Sequence, residues 1–198
     1  MTVSVDGQTK KTKAGKDGAW DVHLKPLKAS KTPVAFSVKG SNSIEFEDVL
    51  VGEVWLCSGQ SNMEWPLRRA GNAKEEVAAA TRPRLRLFTV PRKTSLKPLD
   101  DVDAGWAPCA PQVAKDFSAV GYFFGRELEE NIKGPIGLVG TNWGGTRIEP
   151  WTPITGFEQV PNLKDYVENR KQSADAKAKG EKGPGPKGGA GKIYNGMV

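Results

Sequence analysis

Histidine and cysteine are scarce in this chain, and long apolar runs are missing. The 198 residues include one histidine and two cysteines. Two thiols provide neither a disulfide framework nor the spacing of a metal site. No apolar stretch approaches the roughly 18 residues that a membrane-spanning helix needs, which argues against a membrane span. Cys57 lies in an apolar run and is expected to be buried. The sequence alone leaves open whether Cys57 and Cys109 form a disulfide.

Positive charge is in excess, with a formal net charge of +6 at pH 7. A basic balance is typical of proteins that bind nucleic acid. Much of the excess here is local, however, and is concentrated from Lys164 to Lys192. No aromatic residue interrupts the lysines from Lys171 onward, so a platform for stacking bases is missing there. We therefore expect a solvated linker and no nucleic-acid partner.

Short strands are predicted in residues 18–47, where apolar residues alternate with polar ones. The alternation comprises Trp20, Val22 and Leu24, then Val34, Phe36 and Val38, then Ile44 and Phe46. Turn-rich segments separate the three groups. The pattern predicts a small antiparallel β segment.

A different pattern begins at Val49. The run from Val49 to Cys57 is almost continuously apolar, which is typical of a strand covered on both faces. The elements predicted next are a helix over 72–80, a strand near Leu85 to Phe88, a helix that Ser118 caps and that ends near Gly134, and a strand over 136–139. Alternation of strands and helices favours a parallel α/β sheet.

Ser61 is the most informative residue, in the segment Gly59-Gln60-Ser61-Asn62-Met63. A serine placed where a buried strand stops sharply is a candidate nucleophile, provided that a base lies within reach. Its own N–H would face a developing oxyanion at the start of a helix. Gly144 and Gly145, after the last predicted strand, are candidates for the second donor, because glycine lets backbone approach a ligand closely.

Candidates for the base are few. His23 is the single histidine, and it falls on the polar phase of a strand pattern, so a surface position is the expected one. Glu53, Glu64 and Glu149 are candidate acid–base groups, although such carboxylates more often cap helices or face solvent. Met63 replaces the second glycine of Gly-x-Ser-x-Gly, which disfavours an α/β-hydrolase elbow.

Three blocks of the sequence occur in the order of a known family: Gly52–Glu64, Phe117–Leu128, and Pro135–Leu138 followed by Trp143–Trp151. They resemble the sialate O-acetylesterase family, a group of SGNH hydrolase-like carbohydrate esterases. The resemblance implies a partial flavodoxin-like, three-layer α/β/α core preceded by the small β segment. It further implies Ser61 as the nucleophile, Gly145 and Gly144 in the oxyanion region, and no metal or cofactor.

The resemblance also predicts a domain organisation. Residues 1–47 would be the tail of an N-terminal β domain, 48–173 a partial esterase core, 174–192 a flexible Gly/Pro/Lys/Ala-rich segment and 193–198 the start of a further core element. The family's later Gln-Gly-Glu and Asp-x-x-His blocks have no counterpart in the 198 residues. We therefore expect a fragment that lacks the catalytic Asp and His and is inactive by itself.

The function implied is removal of O-acetyl groups from sialic acid or other acetylated sugars, with a small sugar as partner and neither nucleic acid nor membrane. The alternative is a non-catalytic, sugar-binding remnant with Trp143 and Trp151 as platforms, although both tryptophans are more typical of packing residues. Relatives are typically periplasmic, extracellular or lysosomal. The first 16 residues have no apolar signal region, so the location of this chain and its oligomeric state stay open.

Overall fold

A computed structural model describes residues 1–132 and 134–198. The strands are β1 (Thr2–Val5), β2 (Gln8–Lys11), β3 (Ser30–Lys39), β4 (Ser43–Val51), β5 (Glu53–Gly59), β6 (Arg82–Thr89), β7 (Ala107–Cys109) and β8 (Ile136–Asn142). The helices are α1 (Ser61–Glu64), α2 (Ala73–Ala78), α3 (Pro111–Ala114), α4 (Ala119–Asn131), α5 (Ile154–Glu158), α6 (Lys164–Ala178) and α7 (Tyr194–Met197). Short 3-10 turns lie at Leu67–Arg69, Glu149–Trp151, Pro161–Leu163 and Lys187–Gly189.

The first sheet is antiparallel, with the strand order β2-β1-β3-β4. The predicted strands around Phe36 and Phe46 are confirmed as β3 and β4. The strand predicted at Trp20 is wrong, since residues 12–29 form no strand. Trp20 is 40% exposed, while Val22 and Leu24 are partly buried. The strands that complete the sheet are β1 and β2, and of these β1 buries Val3 and Val5.

The second sheet has the order β5-β8-β6-β7, in which β5, β8 and β6 are parallel and β7 is antiparallel to β6. The parallel α/β prediction is therefore confirmed. In β6, Leu85 and Leu87 are buried and alternate with Arg86, because successive side chains of a strand point to opposite faces. Arg86 forms a two-pronged ion pair with Asp48 of β4, at 2.6 and 3.0 Å, which links the two sheets.

The main core lies between this sheet and α4. Ser118 caps α4 as predicted, accepting a hydrogen bond from the N–H of Gly121 at 3.1 Å. Tyr122 of α4 is 1% exposed and belongs to the same apolar cluster as Ile136 and Leu138 of β8. A second cluster, around Val90, Ile193 and Met197, packs with Phe88 and Val139. The sheet thus has packed side chains on both of its faces.

The predicted strand from Val49 to Cys57 is divided in the structure. β4 ends at Val51 and β5 begins at Glu53, and the two strands belong to different sheets. The chain therefore passes from one sheet to the other at Gly52. The prediction that both faces of this strand are buried is also wrong, because β5 is an edge strand in which Val54 is 65% exposed. An apolar run cannot distinguish one strand from two that turn at a glycine.

Residues 174–192 are more ordered than their composition indicated. α6 continues to Ala178, and a 3-10 turn follows at Lys187–Gly189. Ala190 is fully buried, and Ile193 lies in the second apolar cluster. Alanine and lysine favour helix, which explains the extension of α6 into this segment.

Both cysteines are buried and unbridged, so the Cys57–Cys109 disulfide left open above does not form. Burial raises the pKa of the Cys57 thiol. None of the helices in the described residues has the length and apolar character needed to cross a bilayer.

Candidate active site

The carboxyl ends of β5 and β8 lie side by side. The parallel register pairs Ser58 with Thr141 and Gly59 with Asn142, so the two loops that follow leave the sheet together. The N–H of Trp143 donates to the carbonyl of Gly59 at 3.0 Å. A Cβ placed on Gly144 would lie 3.3 Å from Cα of Ser61. The fold therefore brings the predicted nucleophile and the predicted glycine turn into contact.

Ser61 begins α1 and is exposed to solvent. The side-chain oxygen of the preceding residue, Gln60, accepts hydrogen bonds from the N–H of Ser61 at 3.0 Å and from its hydroxyl. Gln60 thus caps the short helix and orients the hydroxyl of Ser61. A neutral amide oxygen is too weak a base to activate a serine.

The two glycines of the turn differ in their hydrogen bonding. The N–H of Gly144 donates to the carboxylate of Glu64, which also forms an ion pair with Arg92. The guanidinium of Arg92 lies 5.8 Å from the ring centre of Trp143. By contrast, the N–H of Gly145 donates to no acceptor within the described part of the chain. Gly145 has φ of 75°, a conformation that favours glycine.

Hydrogen bonds hold the remainder of this loop. The hydroxyl of Thr146 donates to the carbonyl of Trp143 at 2.6 Å. The indole N–H of Trp151 donates to the hydroxyl of Thr146 at 2.8 Å. Trp143 and Trp151 are both partly buried against the second apolar cluster, which supports a packing role for their rings. The glycine turn is thereby fixed from both sides.

The other candidate acid–base residues lie elsewhere. His23 is in the segment between β2 and β3, with its side chain 93% exposed and its Nε2 3.0 Å from Asp21. Glu53 opens β5, at the opposite end of that strand from Ser61, and accepts a hydrogen bond from Trp55. Glu149 lies in a 3-10 turn. Only Glu64, of the three glutamates, is joined to the glycine turn.

Sequence reasoning missed the roles of Gln60 and Arg92 and found Glu64 only as one of three alternatives. Ser61-x-x-Glu64 matches the spacing of a capping box, which was a local signal for Glu64, but its carboxylate bonds to Gly144 instead of the helix start. Arg92 carries no local signal, because it meets Glu64 through the tertiary fold. Within the described residues, no cluster of three or more His, Cys, Asp or Glu side chains is placed to hold a metal.

The site thus combines an exposed serine and a glycine turn at the carboxyl edge of a parallel α/β sheet, and the comparisons place this fold in the class of the SGNH-like carbohydrate esterases. A family model described as carbohydrate esterase, sialic acid-specific acetylesterase, matches residues 51–180. The chain belongs to this family.

Individual relatives agree with this assignment. Sialate O-acetylesterase of Rattus norvegicus is 36% identical in an alignment over 169 residues, and the match covers 76% of this chain and 31% of that protein. Sialate O-acetylesterase of Homo sapiens is 36% identical in an alignment over 146 residues, and the match covers 67% of this chain and 28% of that protein. The crystal structure of a carbohydrate acetylesterase from Xanthomonas citri superposes with a TM-score of 0.81 at 35% identity, covering 100% of this chain and 40% of that one. The chain thus spans less than half the length of these relatives.

Proposed function

We propose that this chain carries the nucleophile of a serine-type carbohydrate esterase that removes O-acetyl groups from acetylated sugars, with sialic acid as the substrate named for the family. The observation that carries the proposal is the exposed hydroxyl of Ser61 beside the turn at Gly144 and Gly145. Attack on an acetyl ester needs both groups, because the carbonyl oxygen becomes negatively charged as the serine oxygen bonds to its carbon.

The proposed reaction proceeds in two steps. The oxygen of Ser61 attacks the acetyl carbonyl, and the tetrahedral adduct collapses to release the sugar hydroxyl and leave an acetyl group on Ser61. Water then hydrolyses this ester and releases acetate. The unoccupied N–H of Gly145 is the donor we assign to the oxyanion. The N–H of Gly144 joins it only if it leaves the carboxylate of Glu64.

The proton of the Ser61 hydroxyl must also be removed. A general base typically contributes about 10²–10⁴ in rate. His23 makes no hydrogen bond to Ser61 in the described structure, and its Nε2 lies against Asp21. We therefore assign the nucleophile and the oxyanion region to the described residues, but we assign no catalytic Asp or His among them. We expect little activity from the chain by itself.

Labelling with a fluorophosphonate probe tests this proposal. We expect slow labelling of the wild-type chain, no labelling of Ser61→Ala, and unchanged labelling of Ser43→Ala, which removes an exposed serine of β4. Imidazole supplied in the buffer is expected to accelerate labelling, because it can act as a general base toward the hydroxyl of Ser61. The measurement is the labelling rate followed by mass spectrometry.

Labelling that persists in Ser61→Ala would place the reactive nucleophile elsewhere and reject the proposal. If no labelling occurs even with imidazole, while acetylated sugars still bind, the non-catalytic sugar-binding alternative is favoured.

A further inference from the structure

A pocket opens beside Gln60, the residue that precedes Ser61. Its volume is about 370 Å³, within the range of roughly 300–1,000 Å³ that is usual for small-molecule sites. Residues from the end of β5 through Gln60 form one wall, and Thr146, Arg147 and Trp151 form another. Because Gln60 holds the hydroxyl of Ser61, a molecule in this pocket lies next to the proposed nucleophile.

Arg147 is the cationic side chain of this pocket. Arg147 is the one charged side chain among the described residues that line it, and the terminal carboxylate of Val198 is the other charged group of the lining. Arg147 takes part in no ion pair and no side-chain hydrogen bond in the described structure. Five other arginines are paired with carboxylates: Arg68 with Asp116, Arg82 with Glu129, Arg86 with Asp48, Arg92 with Glu64 and Arg126 with Glu76. The guanidinium of Arg147 is therefore available to an anionic ligand.

The backbone around Arg147 is held in place. Thr146, on one side, is fixed by its bonds to Trp143 and Trp151. Ile148, on the other side, accepts hydrogen bonds from the N–H groups of Trp151 at 3.0 Å and Thr152 at 3.1 Å. A loop whose backbone is already fixed loses less conformational entropy when it binds a ligand.

We propose that Arg147 binds the carboxylate of an acidic acetylated sugar in this pocket and so selects sialic acid over neutral acetylated sugars. The proposal rests on the proposed esterase function of the same site. The guanidinium presents a planar pair of donors that matches a carboxylate. In sialic acid, the carboxylate lies at the opposite end of the molecule from the side-chain hydroxyls that carry acetyl groups. Binding of the carboxylate by Arg147 would thus leave the acetyl ester for Ser61.

Titration calorimetry with N-acetylneuraminic acid and with its methyl ester tests the proposal without requiring catalysis. The ester keeps the sugar but removes the negative charge. We expect the wild-type chain to bind the acid about fivefold to tenfold more tightly, a modest ratio because Arg147 is exposed. Arg147→Gln is expected to abolish this preference while leaving the affinity for the ester unchanged. Arg147→Lys is expected to retain part of it, since lysine keeps the charge but loses the paired donors.

Arg69→Gln is the matched control, because Arg69 is also exposed but does not line the pocket. It is expected to keep the full preference for the acid. Equal binding of acid and ester by the wild type, no detectable binding of the acid, or a preference that survives in Arg147→Gln would each overturn the proposal.

The Ser61→Ala variant separates this proposal from the proposed function. We expect it to keep the preference for the acid, since the carboxylate contact does not involve Ser61. If Ser61→Ala is still labelled by the probe but the acid preference depends on Arg147, the esterase assignment fails and the anion site stands. If labelling depends on Ser61 but the acid preference is missing, only the role of Arg147 fails.

Discussion

Ser61 and Gly144 each meet a side-chain oxygen in the structure. Gln60 accepts both hydrogen bonds from Ser61, and Glu64 accepts the N–H of Gly144. The N–H of Gly145, in the same turn as Gly144, meets no acceptor among the described residues. In the reaction proposed above, the hydroxyl of Ser61 would therefore first have to leave the side-chain oxygen of Gln60.

A second feature at the level of single residues is the buried thiol of Cys109. Its side chain is 2% exposed. Burial raises the pKa of the Cys109 thiol to about 11 from its usual 9.0, with Arg82 acting against this shift and Glu129 in the same direction. The folded chain therefore keeps the thiol proton at pH values where the unfolded chain has lost it.

This difference predicts that stability falls as the pH rises from about 9 to about 11, because the unfolded state then binds fewer protons than the folded state. At pH 10.5 the Cys109 contribution amounts to about 1–2 kcal/mol. Urea unfolding of Cys109→Ala at pH 8 and pH 10.5 is expected to show a smaller loss than that of the wild type. Identical losses in both proteins would contradict the assignment. Burial also raises the pKa of Tyr122, so part of the slope remains.

At the level of elements, the junction between the two sheets depends on Gly52. A Cβ at this position would overlap the carbonyl oxygen of Pro135. The same carbonyl accepts a hydrogen bond from the N–H of Glu53 at 3.0 Å. Close backbone contact at Gly52 thus lets the chain leave β4 and enter β5 beside β8.

Replacement of Gly52 by alanine is expected to destabilise the fold by about 1–3 kcal/mol, since a backbone atom has to move to relieve the overlap. Gly105→Ala is the matched control, because a Cβ at Gly105 would meet nothing within 4 Å, and its effect should stay within about 0.5 kcal/mol. The urea midpoints of the two variants provide the comparison. Equal midpoints would show that the junction tolerates a side chain.

At the level of the whole molecule, β5 forms an edge of the second sheet, and in the described residues it pairs only with β8. Val54 and Leu56 are 65% and 56% exposed, and they share one face of the strand because their positions differ by two. Trp55 points to the other face and packs against Phe124 of α4, with ring centres 5.2 Å apart. An apolar strand edge of this kind promotes pairing between chains.

We expect the isolated chain to self-associate through β5 at high concentration. Val54→Lys and Leu56→Lys should each weaken this association, because a charged side chain on an edge strand opposes pairing with another strand. Sedimentation velocity over a range of concentrations measures the effect. Val160→Lys, which changes a 42% exposed valine outside both sheets, should leave association unchanged. A wild-type chain that stays monomeric throughout would reject the prediction.

Local patterns in the sequence determined several elements and the candidate nucleophile. The cap at Ser118, the helix after Asn72 and the buried alternation of β6 all follow from interactions within a few residues, so they could be predicted. The position of Ser61 after an apolar strand is equally local. Its role as nucleophile, and that of Gly145 and Gly144 in the oxyanion region, remain predictions that labelling will test.

Contacts between distant residues were decided by the tertiary structure alone. The division of the apolar run at Gly52 depends on Pro135, the bond from Gly144 ends on Glu64, and the charge of Glu64 is balanced by Arg92. The same holds for the pocket that places Arg147 beside Gln60. Such partners are separated by tens of residues, and no periodicity or turn signal specifies them, because they meet only after the strands have paired.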